Sequence, residues 1–216
     1  MTAKNAAAAA PSLGDFLLDA QRRDEPSSEF ALAAPDLLSV KVDGRLRARA
    51  SAVLAASGVV RVTPAARFAS LTGSDESAGL LAAVDGKGRV TLGEAGKTIA
   101  LLDLRRDELL AVAPHAVLAL EDTVSFSPIP IRLPLKKPVE WSALTLAGPG
   151  KVAFTVRGTL HTLRVTAGTP LFVRTGAVVA WTANLAAVGR AGSAGDTRVA
   201  FAGDGFVMLQ SGQEPK

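Results

Sequence analysis

Gly88-Arg-Val-Thr-Leu, followed by Gly96, returns as Gly150-Lys-Val-Ala-Phe, followed by Gly158 (88 to 150 and 96 to 158, an offset of 62 in both). Downstream, Leu110, Val112, His115, Ala116 and Val117 match Leu171, Val173, Gly176, Ala177 and Val178, with 110 to 171 an offset of 61. A weaker third copy lies upstream, where the ten residues from Leu46 resemble the ten from Leu171. Each copy reads as a strand, a tight turn at Ser51, His115 or Gly176, and then Ala-Val entering the next strand. Units this small cannot bury an apolar face alone, so the copies must stack or wind around a shared core.

The hydrophobic period inside the copies is two. Leu38, Val40 and Val42 alternate with Ser39 and Lys41, and Leu46, Ala48 and Ala50 alternate with Arg45, Arg47 and Arg49. Asp43-Gly44 between them is a hairpin signal. Similar short runs follow at 88–92, 99–104, 109–120, 152–156, 163–165, 171–181 and 206–209. Such strands, separated by Gly, Asp and Pro, predict an all-β sandwich, barrel or β-helix. Ser127 to Glu140 carries Pro128, Pro130, Pro134 and Pro138, so it is expected at a sheet edge or as a polyproline-like crossing. Gly189 to Asp196 reads as a hairpin tip.

Before the period-two region the pattern is helical. Ser12 is placed to cap a helix over residues 12–23 whose stripe is Leu13, Phe16, Leu17 and Ala20. The expected organisation is a disordered tail over 1–11, a helical extension over 12–29, one β domain over 30–211 and a tail over 212–216. The five alanines after Asn5 are too few and too weakly apolar for a signal peptide. The most apolar run, Leu109 to Leu120, contains Pro114 and His115 and falls short of the ~20 residues a membrane helix needs. A soluble, cytoplasmic protein is expected.

Composition narrows the chemistry. The 216 residues hold no cysteine and two histidines, which removes thiolate sites and nearly removes multi-histidine metal sites. His161 alternates with Leu163 and Val165 and is expected as a buried or half-buried packing residue, and His115 as a solvated turn residue. No His-x-His pair accompanies His161, which argues against cupin-type metal chemistry. Gly93-Glu-Ala-Gly-Lys-Thr resembles the end of a phosphate loop, but Thr91 stands where the first glycine is required and a strand follows, so a hairpin turn is expected. Ser193 in Ala-Gly-Ser-Ala-Gly has no nearby base. The acid pairs Asp107-Glu108 and Glu121-Asp122 read as turn charges. These observations predict a protein that is not an enzyme and takes no cofactor.

Net charge is +4, too weak to announce a nucleic-acid binder. Arg45, Arg47 and Arg49 share one strand face and are the candidate phosphate contacts. Aromatic content is 5%, with no tyrosine to stack bases. A solvated outer face paired with nearby acids is the plainer reading.

The glycine and apolar patterns also carry a family resemblance. Leu144-Thr-Leu-Ala-Gly-Pro-Gly-Lys-Val-Ala-Phe-Thr-Val-Arg-Gly158 is followed by Leu160 to Val165, by Gly168-Thr-Pro-Leu-Phe-Val, by Gly176-Ala-Val-Val-Ala-Trp181 and by Phe201-Ala-Gly-Asp-Gly-Phe-Val-Met-Leu-Gln-Ser211. With Leu37 to Leu54 as an opening hairpin, the order resembles the altered inheritance of mitochondria protein 24 family, also described as the mitochondrial biogenesis family. The resemblance covers roughly residues 30 to 211. It implies a double-stranded β-helix of the group of the tryptophan RNA-binding attenuation protein, and a bacterial homo-oligomer, a trimer or larger ring. The expected role is a scaffold or interaction module, with a ring that binds nucleic acid or a small ligand as the alternative. It carries no catalytic residues over, and fold alone does not transfer RNA binding. The N-terminal extension and the proline-rich stretch depart from the pattern.

Overall fold

A computed structural model describes residues 30–63, 81–133, 139–191 and 197–212. The expected helix over 12–23, with the whole of 1–29, lies outside them, as do residues 134–138, 192–196 and 213–216. The described residues are almost entirely strand, in antiparallel sheets, with no α-helix among them. No helix among them is long and apolar enough to cross a membrane.

After β1 (Phe30–Ala34) the chain runs through one path of strands three times. The first group is β2 (Leu37–Arg49), β3 (Val53–Thr63) and β4 (Leu81–Gly93). The second breaks the same path into β5 (Thr98–Leu104), β6 (Leu109–Val112), β7 (Val117–Glu121), β8 (Ser125–Leu133), β9 (Val139–Ala147) and β10 (Gly150–Val156). The third repeats that division in β11 (Leu160–Val165), β12 (Leu171–Arg174), β13 (Val178–Thr182), β14 (Ala186–Ala191), β15 (Thr197–Ala202) and β16 (Gly205–Gln210). Each group contains one short 3-10 turn, at Ala50–Ala52, Pro114–Ala116 and Thr175–Ala177. In each, the next residue's N–H donates to the carbonyl of the turn's first residue. These are the turns expected at Ser51, His115 and Gly176, including the one in the weaker third copy.

Pairing repeats as faithfully as sequence. The last stretch of each group is always central. β4 lies between β2 and β3, β10 between β5 and β7, β9 between β6 and β8, β16 between β11 and β13, and β15 between β12 and β14. Just after each 3-10 turn the register slips by one residue, at Leu54, at Leu118 and at Val179. The glycines that matched at an offset of 62 serve one purpose: Gly96 and Gly158 both turn the chain at positive φ, +71° and +75°.

Successive groups are joined by one kind of contact, β2 with β7 and β6 with β13. The registers are the same. Ala48 faces Ala119, Arg47 faces Leu120 and Leu46 faces Glu121. Val112 faces Ala180, Ala111 faces Trp181 and Leu110 faces Thr182. In both joints the second residue before one turn meets the third residue after the next turn.

The core follows this plan in three clusters. The first is built from β2 and β4 residues such as Leu38, Val40, Val90 and Leu92, and is completed by Leu118 and Ala119 of the next group. The second, around Leu146, Val152 and Phe154, is completed by Val179 and Ala180. The third surrounds Trp181 and Phe201, whose ring centroids are 5.2 Å apart, and among the described residues no further group completes it.

Three expectations are refined. Asp43-Gly44 makes no hairpin: β2 runs through it unbroken, with Asp43 facing Lys87 and Gly44 facing Gly86 of β4. Pro128 and Pro130 lie in β8, a terminal strand paired along its length with β9, so the proline-rich stretch begins as an edge strand. His161 is exposed rather than buried. β11 ends its sheet and nothing among the described residues covers this face, so Leu163 beside it is exposed as well, and only Val165 is buried.

Candidate functional site

Arg45, Arg47 and Arg49 occupy one face of β2, but burial rises along the row. Arg45 is exposed and its Nε donates to Asp85 Oδ1 at 2.5 Å. That hydrogen bond, and then the charge of Asp85, raise its pKa above the ordinary arginine value. Arg47 is half-buried, its guanidinium 5.5 Å from the centroid of the Phe126 ring. Arg49 is buried. Its Nη2 donates to the carbonyls of His115 at 2.5 Å, Val117 at 2.6 Å and Pro114 at 3.4 Å, and its Nη1 to Glu94. Glu94 also pairs with Lys97 at 3.1 Å. Burial pushes the Glu94 carboxyl up, but the charges of Arg49 and then Lys97, with hydrogen bonds from both, outweigh it and hold its pKa below the usual range.

The row therefore divides into an outer ion pair, a stacked cation and an inward clamp. Arg49 spans the joint between the first two groups, so its charge is spent on backbone oxygens rather than offered to solvent. Sequence alternation finds the face but misses the lid. Only the positions of the second turn and Glu94, 66 and 45 residues away, reveal it.

Beside Arg45 lies a cleft of about 70 Å³, lined by Phe30, Lys41, Val42, Asp43, Leu46 and Glu121. It is several-fold smaller than the ~300 Å³ at which small-molecule sites begin. Among the described residues no three His, Asp or Glu side chains come close enough to hold a metal ion. The acid pairs serve the backbone: Glu108 accepts from the Arg105 N–H and Glu121 from the Lys151 N–H. The Gly93–Lys97 stretch turns the chain between β4 and β5, but it is not the hairpin turn expected, because β4 pairs with β2 and β3 and β5 pairs with β10. Ser193 lies outside the described residues.

Two features of the sheets were not legible in the sequence. The first is a row of arginines across the sheet of β12, β15 and β14. Arg174 faces Arg198 and Arg198 faces Arg190, so the three positions share one face although they are distant in the chain. The second is β3, at the end of its sheet. Leu54 to Val59 are all exposed, Leu54 to 62% and Val59 to 84%. From Val53 to Val60 the strand has no charge and no proline. Edge strands ordinarily carry such groups to prevent pairing with other chains.

Residues 138–213 match the family described as Mitochondrial biogenesis AIM24. The AIM24 match runs from β9 to just past β16, so it takes in the end of the second group and all of the third. It supports the family resemblance carried by the glycine and apolar pattern of the second half. The chain is also similar to the crystal structure of protein SPYM3_0169 from Streptococcus pyogenes, at 15% identity and a TM-score of 0.67, covering 85% of this chain and 92% of that one. At that identity the likeness shows the fold alone. No curated protein matches.

Proposed function

We propose that this chain is a bacterial AIM24-family protein without enzymatic activity, a cytoplasmic homo-oligomer that serves as a scaffold or interaction module. The observation that carries the reading is the stretch from Val53 to Val60 of β3, a long edge run without charge or proline and exposed from Leu54 to Val59. A soluble chain that kept such an edge for no purpose would aggregate. The double-stranded β-helix of the tryptophan RNA-binding attenuation protein group belongs to the same proposal. It rests on the threefold return of one strand path and on the family resemblance.

The test is the solution mass by light scattering on a sizing column. A discrete multiple of 22.1 kDa is expected, as a trimer or larger ring. A clean monomer at high concentration would remove the reading.

The second reading is a ring that binds nucleic acid or another polyanion. It is favoured by the aligned positions of Arg174, Arg198 and Arg190 rather than by the stripe on β2. A fluorescent RNA pool tests it. Binding that weakens steeply with salt and falls in Arg174→Ala/Arg198→Ala supports it, and the absence of salt-dependent binding ends it.

A further inference from the structure

The joint between groups uses two edges: the short strand before a 3-10 turn, and the strand just after the next turn. Two joints are made. One of each edge is therefore left over, the outer edge of β12 in the third group and the outer edge of β3 in the first, neither paired with another strand among the described residues. We infer that copies of this chain join head to tail by antiparallel pairing of β3 in one with β12 in the next. The inference rests on the reading of the protein as a homo-oligomer and names its interface.

Burial at equivalent positions supports it. Leu118 and Val179, which follow the second and third turns by two residues, are fully buried, whereas Leu54 in the same place is 62% exposed. Ala119 and Ala180 are buried while Ala55 is exposed, and Leu120 and Trp181 are buried while Ala56 is exposed. On the other edge, Ala111 is buried and Arg47 half-buried, whereas Phe172 in the same place is 57% exposed. The third core cluster has no counterpart to Leu118 and Ala119 in the first or to Val179 and Ala180 in the second, the residues just after the next turn.

Most other terminal strands are guarded. β5 carries Asp103, β11 carries His161 and Arg164, β8 carries Pro128 and Pro130, and β14 carries Arg190, while β1 has no charge or proline but is only five residues long. β3 carries a single charge, Arg61 near its end, and leaves the eight residues from Val53 to Val60 without charge or proline, the longest such run on these edges.

The two made joints fix the register of the third. Val173 meets Ala55 of the partner subunit, Phe172 meets Ala56 of the partner subunit, and Leu171 meets Ser57 of the partner subunit. Arg174 takes the place of Arg49. The carbonyls of Ser51 and Val53 of the partner subunit then stand where those of His115 and Val117 stand in the first joint. Because the two edges differ, the contact is heterologous. It closes into a ring if the rotation allows and grows as a filament if it does not.

The absence of cysteine makes the test free of background. Phe172→Cys and Ala56→Cys, both at exposed positions, are purified separately and mixed with a short bis-maleimide cross-linker. Directly opposed residues lie about 5 Å apart at Cβ, within its reach. Cross-linked dimer is expected in the mixture and in neither protein alone, and not when Leu101→Cys on β5 replaces Ala56→Cys. Ala56→Lys, which charges the β3 edge, is expected to reduce the assembly to monomer while the fold persists. A discrete oligomer that gives no cross-link in the mixture, or that cross-links Phe172→Cys to itself, would overturn the pairing and leave the oligomer reading intact. A monomeric wild type would overturn both.

Discussion

Arg49 Nη2 lies 2.6 Å from the carbonyl oxygen of Val117, 68 residues further along the chain. This contact crosses the joint between the first two groups at the first residue after the second 3-10 turn. The same nitrogen reaches the carbonyls of His115 and Pro114, while Nη1 is held by Glu94. Buried carbonyls that lose a charged donor cost stability, and so does a carboxylate left behind without its cation. Arg49→Ala is expected to destabilise the protein by about 3 kcal/mol, and Arg49→Lys to recover little, because an ammonium cannot fork between carbonyls and carboxylate. Urea unfolding checks it. An unchanged midpoint for Arg49→Ala would show that the clamp contributes nothing.

Glu94 makes this clamp sensitive to acid. Its pKa in the fold is below the ordinary value of 4.5, because Arg49 and Lys97 outweigh the opposing effect of burial. The folded state thus binds the proton less readily than the unfolded chain. The stabilisation is complete above the ordinary value and is lost as pH falls from there through the lowered one. In a pH series of unfolding midpoints, wild type should decline over that acidic window and Glu94→Gln should decline less. Parallel curves would mean that the pair does not couple folding to protonation.

Gly86 and Gly44 separate two kinds of glycine requirement. Both have positive φ, +131° and +114°. A Cβ at Gly86 would lie 2.0 Å from the Val59 carbonyl oxygen, whereas one at Gly44 would meet nothing within 4 Å. Gly44→Ala should cost about 1 kcal/mol from backbone strain alone. Gly86→Ala should cost about 3 kcal/mol or more, since β3 must move away from β4. Thermal unfolding of the two variants side by side decides it, and equal losses would contradict the close approach.

The fold was legible where one residue reports one fact. The turns at Ser51, His115 and Gly176, the alternation of Leu38, Val40 and Val42, and the paired glycines at 96 and 158 all appear where local pattern placed them. The site was less legible, because burial is decided by distant elements. Arg45 and Arg49 are indistinguishable by alternation. One meets solvent and Asp85, and the other lies beneath a turn from the next group. His161 reads as packed beside Leu163 and Val165 but stands on an uncovered edge strand. The arginine row of 174, 198 and 190 exists only after the strands pair.

Phe201 is fully buried against Trp181 in the third cluster, with the two ring planes inclined by 56°. Phe201→Ala removes an aromatic ring from a closed core and should cost about 3–5 kcal/mol. Trp181 emission should shift to longer wavelength as water reaches the cavity. A loss within the range of surface substitutions would show that this cluster repacks freely.

Amide hydrogen exchange as a function of protein concentration tests the central claim most directly. If β3 pairs with β12 of a second copy, peptides spanning Val53–Val59 and Leu171–Arg174 should become protected together as concentration rises. β5 and β11, open edges outside the interface, should be unaffected. Protection that rises elsewhere while these two strands exchange at the same rate throughout would contradict the account.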